Sequence, residues 1–120
     1  MSEFHQILPK LVMTAALGCS MIAGSASATE AWLSSRIKAV YPLSDGTFIL
    51  VPVDDHPSCT NANTPNYHYV TVGENGVSTD GINRLYAAAL AAAAQRLVLW
   101  IVFDDATTYC YINRLFVTYE

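Results

Sequence analysis

The sequence predicts a mainly β domain carrying one helix, and three stretches of it do the predicting. The first is Gly81–Gln95, GINRLYAAALAAAAQ, where Ile82, Leu85, Tyr86, Ala89, Leu90 and Ala93 recur at helical spacing and form one apolar stripe. The second is Leu97–Phe103, a continuous apolar run of the kind found in a strand covered on both faces. The third is Asp45-Gly46, a strong hairpin signal lying between two apolar segments.

Taken in order, the chain begins with an export signal. Lys10 precedes the apolar segment Leu11–Gly24, and Ala26-Ser27-Ala28 has the small-x-small form of a cleavage site. Residues 1–28 are therefore expected to be a cleaved signal peptide, leaving 29–120 as a single domain. The apolar segment is too short and too interrupted to be expected to span a membrane. Leu17-Gly18-Cys19 offers an alternative, a lipoprotein-type site that would leave Cys19 lipidated.

Beyond Ala28 come Trp32 and Leu33, then Ser34–Tyr41, where Arg36 and Lys38 alternate with Ile37 and Ala39 as in a half-buried strand. Pro42–Gly46 turns into a second strand, Thr47–Val53, in which Pro52 marks an edge or a bulge because it lacks an N–H. Asp54–Asn66 is the longest irregular stretch, and Tyr67–Val72 follows as a β-branched and aromatic third strand. Thr79 or Asp80 can cap the helix, with Arg96 at its negative end. Leu97–Phe103 and Tyr109–Tyr119 supply the last two strands. Strand, strand, strand, helix, strand, strand is the order of a five-stranded OB-like barrel. An open antiparallel sheet with the helix laid across it uses the same elements.

Two cysteines remain beyond the signal segment, Cys59 and Cys110, and an even pair in an exported chain is expected to be a disulfide. Closing a loop of about 50 residues is worth about 4 kcal/mol in the chain-entropy account. The helix face opposite the stripe is also unusual. Ala87, Ala88, Ala91, Ala92 and Ala94 stand where a solvated helix shows charge. Ala87, Ala88, Ala91 and Ala94 are thus candidate oligomer contacts, unless the segment Thr29–Leu33 with Trp32 folds back over them. Cys59, the helix Ile82–Gln95 running directly into Leu97–Val102, and Cys110 together resemble the B subunits of five-subunit bacterial toxins, the subtilase-cytotoxin type above all. The resemblance lies in architecture and apolar pattern. It implies a ring-shaped oligomer and a glycan-binding surface, and assigns no binding residue.

The formal net charge is −4, and Arg36, Lys38, Arg84, Arg96 and Arg114 are dispersed rather than clustered. That excludes the basic surface that nucleic acid or anionic lipid requires. Asp54-Asp55-His56 and Asp104-Asp105 are the acidic clusters; brought together they could hold a cation, and apart they are ordinary turn residues, the reading preferred here. His68, between two tyrosines, is expected to be packed rather than ligating. Ser34, Ser35, Ser44, Ser58 and Ser78 sit in no nucleophile motif with His56 or His68, so no enzyme, cofactor or resident metal is expected. Tyrosines are numerous for so small a domain, and with nearby Asp and Asn they suit sugar stacking or protein anchoring. Asp54, Asp55, His56, Tyr67, Tyr69, Tyr109 and Tyr111 are the candidate ligand residues; Tyr41, Trp100 and Tyr119 extend the aromatic set. The expected function is a secreted or periplasmic binding protein for a glycan or a protein, homo-oligomeric through its helix. The alternative is a monomeric periplasmic structural or inhibitor-like protein acting through the 54–66 loop.

Overall fold

The computed structural model describes residues 29–117. The signal peptide, the lipidation alternative at Cys19 and the aromatic Tyr119 lie outside the described residues. Six strands and one helix follow in the order β1 (Glu30–Ser35), β2 (Ile37–Pro42), β3 (Phe48–Pro52), β4 (His68–Val70), α1 (Thr79–Ala94), β5 (Leu99–Asp104) and β6 (Ile112–Val117). They form two three-stranded antiparallel sheets, β1-β5-β6 and β2-β3-β4.

The five-stranded OB-like barrel is therefore corrected to an α+β fold with two separate sheets. The first expected strand is divided at Arg36, so β1 enters one sheet and β2 the other. The division is held on both sides of Arg36: its carbonyl accepts the Val53 N–H at 2.9 Å, and its Nε donates to the Arg96 carbonyl at 3.2 Å. On the far side β4 has only three residues, and its contact with the segment before β6 is one backbone bond, Tyr69 N–H to the Tyr109 carbonyl at 3.1 Å. Cys110 has φ 49° in that segment, which ends the extended backbone before β6 begins. The sheet does not close.

Several local expectations hold. The β2–β3 hairpin turns at Asp45-Gly46, where Asp45 Oδ1 accepts the Thr47 N–H and Gly46 takes φ 92°. Pro52 ends β3 opposite Ile37, where the register slips between Ile37 and Ala39, so the missing N–H falls at a bulge. β5 is the central strand of its sheet, and Leu99, Ile101, Val102 and Phe103 are fully buried, although Leu97 and Val98 precede the strand.

The helix departs in detail. Its cap is Ser78, whose hydroxyl accepts the Gly81 N–H at 2.9 Å, rather than Thr79 or Asp80. Arg96 lies beyond the last turn in a left-handed conformation (φ 57°), and Leu97 N–H closes on the Ala92 carbonyl at 3.0 Å. Arg96 thus serves as a turn residue, and no basic side chain occupies the final turn. The buried stripe is Ile82, Ala89 and Ala92 with Leu85 and Tyr86 beside it, whereas Leu90 is 42% exposed. α1 packs against β2 and β6, and the Tyr86 ring meets Phe48 edge-on at 5.0 Å.

The core lies between the sheets, with Leu33 from β1, Phe48 and Leu50 from β3, Val70 from β4, Leu99, Ile101 and Phe103 from β5 and Ile112 from β6. Each fully buried side chain of this size contributes about 1.5–3 kcal/mol relative to exposure. Alternation along the last strand fails at its start. A bulge between Val102 and Phe103 leaves Asn113 unmatched, so Cys110 and Ile112 point inward with Leu115 and Val117.

Candidate functional site

The candidate site is a tyrosine surface on the outer face of β2-β3-β4, extended by the segment before β6. Cross-strand register places Tyr41 on β2 and Tyr69 on β4 either side of Ile49, which is only 6% exposed. Tyr67 enters from the end of the loop and meets Tyr41 edge-on at 5.7 Å. Tyr69 meets Tyr109 edge-on at 5.1 Å, and Tyr109 stacks on Tyr111 at 5.2 Å. Edge-on and offset contacts are the favourable arrangements for aromatic quadrupoles. Tyr41 and Tyr109 are 44% and 48% exposed, and the other three rings are half-buried.

Two features of the chain place Tyr109 and Tyr111. The disulfide Cys59–Cys110 is present, as the cysteine pair predicted, and anchors the residue between them. The backbone is held as well: Asp104 N–H donates to the Tyr111 carbonyl at 3.0 Å, and Asn75 Nδ2 donates to the same oxygen at 2.8 Å. Desolvation, then the neighbouring Tyr41, raises the Tyr67 hydroxyl above its ordinary value. Desolvation, then Glu74 and Tyr109, does the same for Tyr111. Both phenols are protonated donors at neutral pH, as phenols ordinarily are, and the Glu74 and Asp104 carboxylates lie near Tyr111.

The loop of residues 54–66 is internally braced. Asn61 Nδ2 donates to the carbonyls of Tyr67 (2.8 Å) and Thr108 (3.0 Å), while its Oδ1 accepts the Asn63 and Tyr67 N–H groups. Buried Asn66 donates from Nδ2 to the Asn61 and Asn63 carbonyls, and its N–H reaches Asp55 Oδ1 at 2.8 Å. Asp55 is therefore a loop-bracing residue. Asp54 is exposed, and its N–H reaches back to Ser35 Oγ. His56 Nδ1 accepts the Ser58 N–H at 3.0 Å, and its ring lies edge-on to Phe103 at 5.5 Å. The structure thus brings Tyr69, Tyr109 and Tyr111 into contact, sets Tyr67 against Tyr41, and gives Asp55 and His56 hydrogen-bonding roles in the loop while the Asp54 side chain stays exposed. Asp104 braces its own turn, accepting from Ala106 N–H, and Asp105 ties that turn to the segment before β1, accepting from Thr29 N–H.

His68 is packed, as expected, and wholly buried, with its ring edge-on to Phe103 at 4.6 Å. Neither ring nitrogen has a well-formed hydrogen bond. Burial pulls its pKa from 6.5 to about 4, and the nearby Cys110 backbone and Asp55 charge offset only part of that.

Of the candidate oligomer residues, Ala87, Ala91 and Ala94 are exposed around Leu90, whereas Ala88 is half-buried toward β6. The segment Thr29–Leu33 does not cover them. Trp32 is instead part of an aromatic cluster that sequence reasoning missed, on the outer face of β1-β5-β6. Its ring meets Phe116 at 5.7 Å and Trp100 at 6.3 Å, with Arg114 above it at 5.4 Å and paired to Glu30 at 3.1 Å. The available signal was the shared outward parity of Arg114 and Phe116, but the partner strand and register decide what they meet.

No helix among the described residues is long and apolar enough to cross a membrane. No protein-family model matches this chain, and neither the curated proteins nor the solved structures contain one significantly similar to it.

Proposed function

We propose that this chain is an exported, non-enzymatic binding protein that presents the tyrosine surface to a glycan. One observation carries the reading: on one sheet face Tyr41 packs on Tyr67, and across Ile49 Tyr109 packs between Tyr69 and Tyr111, with Tyr41 and Tyr109 nearly half exposed. Rings already fixed by their neighbours lose little freedom on binding, and the phenol hydroxyls, with Glu74 and Asp104 near Tyr111, match the polar edges of a sugar. The disulfide fits an oxidising compartment, periplasmic or extracellular. The exposed Ala87, Leu90, Ala91 and Ala94 face is the proposed self-association surface, because small side chains there allow a second copy to approach closely.

A glycan array probed with the oxidised chain tests this, alongside Tyr41→Ala and Tyr109→Ala. Specific binding that falls at least about tenfold in both variants supports the reading. A blank array, or binding unchanged by both substitutions, overturns it. Light scattering addresses assembly separately, and a strict monomer would remove the helix interface.

The braced 54–66 loop favours one second reading, a monomer that inserts this loop into a protein partner. Its hydrogen bonds pre-organise it, and Asp54 stays exposed at its start. Partner binding lost in Asp54→Ala and His56→Ala but kept in Tyr109→Ala would select it.

A further inference from the structure

His68 is a buried imidazole without a well-formed hydrogen bond. It has no solvent exposure, and the Cys110 backbone is the one polar group near enough to act on its ring as a weak partner, an arrangement that an apolar residue of similar size would avoid. Its neighbours are the equally buried Cys59 and Cys110, and one ligating atom from each of the three residues lies within 4.8 Å of the others. Among the described residues this is the one cluster of three metal-ligating side chains. Two sulfurs and an imidazole nitrogen are the donors preferred by thiophilic closed-shell cations. Around such an ion, ligands at about 2.0–2.3 Å stand roughly 3.5–4 Å apart. The cluster is thus near ligand spacing once the sulfurs separate.

We propose that reduction of Cys59–Cys110 opens a metal site in which Cys59, Cys110 and His68 bind one thiophilic cation, zinc(II) or copper(I). A dithiol reductant supplies two electrons and two protons, breaking the sulfur–sulfur bond and becoming a disulfide itself. The cation then displaces both thiol protons to solvent, and the neutral imidazole contributes the lone pair that is idle in the oxidised form. Asn61 borders the site from outside, its Nδ2 lying 3.4 Å from Cys59 Sγ and 3.7 Å from Cys110 Sγ. The same amide ties Tyr67 to Thr108, so the loop stays closed over the site.

The test is metal uptake by the Cys19→Ser chain, in which Cys59 and Cys110 are the only thiols, after reduction with a phosphine that is then removed by anaerobic gel filtration so that it does not compete for copper(I). Zinc(II) alone is titrated against a chromogenic chelator, and copper(I) alone against a copper(I)-selective chelator. One equivalent of either ion in the reduced chain, with none in the oxidised chain, is the expected result; uptake of neither overturns the proposal. His68→Leu keeps both thiols and is expected to bind at least about tenfold more weakly. Equal affinity in that variant overturns the proposal, because two free thiols then suffice. Should reduction loosen the fold, near-ultraviolet circular dichroism reports it. Metal must then restore the aromatic signal in the Cys19→Ser parent and not in His68→Leu; binding without restoration overturns the site. Cys59→Ala/Cys110→Ala, retaining His68, is expected to take up no ion.

Discussion

The outer faces of the two sheets are both aromatic, yet they are built by different means. On β1-β5-β6 the rows are Trp32–Val102–Arg114 and Ser34–Trp100–Phe116, every member standing on a regular strand and placed by register. This cluster covers Val102, which has no exposure although it lies outside the main core. On β2-β3-β4 only Tyr41 and Tyr69 stand on strands. Tyr67, Tyr109 and Tyr111 come from irregular backbone fixed by the disulfide, by Asn61 and Asn75, and by the left-handed Cys110. A face made by register is as stable as its sheet, whereas a face made by loops depends on the few contacts that hold the loops. The first kind suits structure. The second can be arranged around a ligand without disturbing strand pairing.

The largest test of this contrast is removal of the disulfide. Cys59→Ala/Cys110→Ala is expected to lower stability by about 4 kcal/mol in urea unfolding, from release of a crosslink spanning 51 residues. In the folded variant the tyrosine near-ultraviolet signal should weaken while tryptophan emission stays native. Joint loss of both signals would show that the faces are not independent.

Acid is the next lever, acting on β4 through His68. Its folded pKa is about 4 against 6.5 when unfolded, so the unfolded chain binds the extra proton between those values. Stability is therefore complete above about pH 6.5 and falls as pH drops toward 4, by on the order of 3 kcal/mol in all. Urea midpoints measured across that window in wild type and His68→Leu check it; an equally steep decline in the variant would place the effect elsewhere.

Trp32→Ala attacks the other face. It should cost about 2 kcal/mol, since the half-exposed ring carries the Arg114 contact and shields Val102. The expected outcome is a lower thermal midpoint with ligand binding by the tyrosine face unchanged. Tyr109→Ala should be the reverse and the smallest in stability, less than about 0.5 kcal/mol for an exposed ring, while removing binding. A Tyr109 variant as unstable as the Trp32 variant would erase the distinction between the two faces.

Much of the fold was legible in the chain. The helix, the Asp45-Gly46 hairpin, the buried fifth strand and the disulfide follow from spacing and local chemistry, which act over a few residues. Of the candidate site, Tyr67, Tyr69, Tyr109 and Tyr111 were legible as residue types, although only Tyr69 of the four lies in a strand. That Tyr69, Tyr109 and Tyr111 come into contact was not, because their meeting depends on a backbone bond from Tyr69 to Tyr109 and on the sign of φ at Cys110. The local roles of the 54–66 loop were not legible for the opposite reason. Asp55 and His56 accept from the Asn66 and Ser58 backbone inside their own loop, whereas the Asp54 side chain stays exposed, and only the folded loop shows which acceptor meets which N–H.

By itself the sequence determined an α+β composition, the helix, the turn at Asp45-Gly46 and, with Cys19 set aside in the expected signal segment, the pairing of Cys59 with Cys110, because each follows from nearby residues or from the one partner then left. Only the tertiary structure decided that Arg36 divides a strand between two sheets, that Trp32 faces Phe116 instead of the helix, and that His68 lies against the disulfide without a well-formed hydrogen bond. Those outcomes depend on which strand pairs with which, a balance of long-range burial and hydrogen bonding that no local pattern encodes.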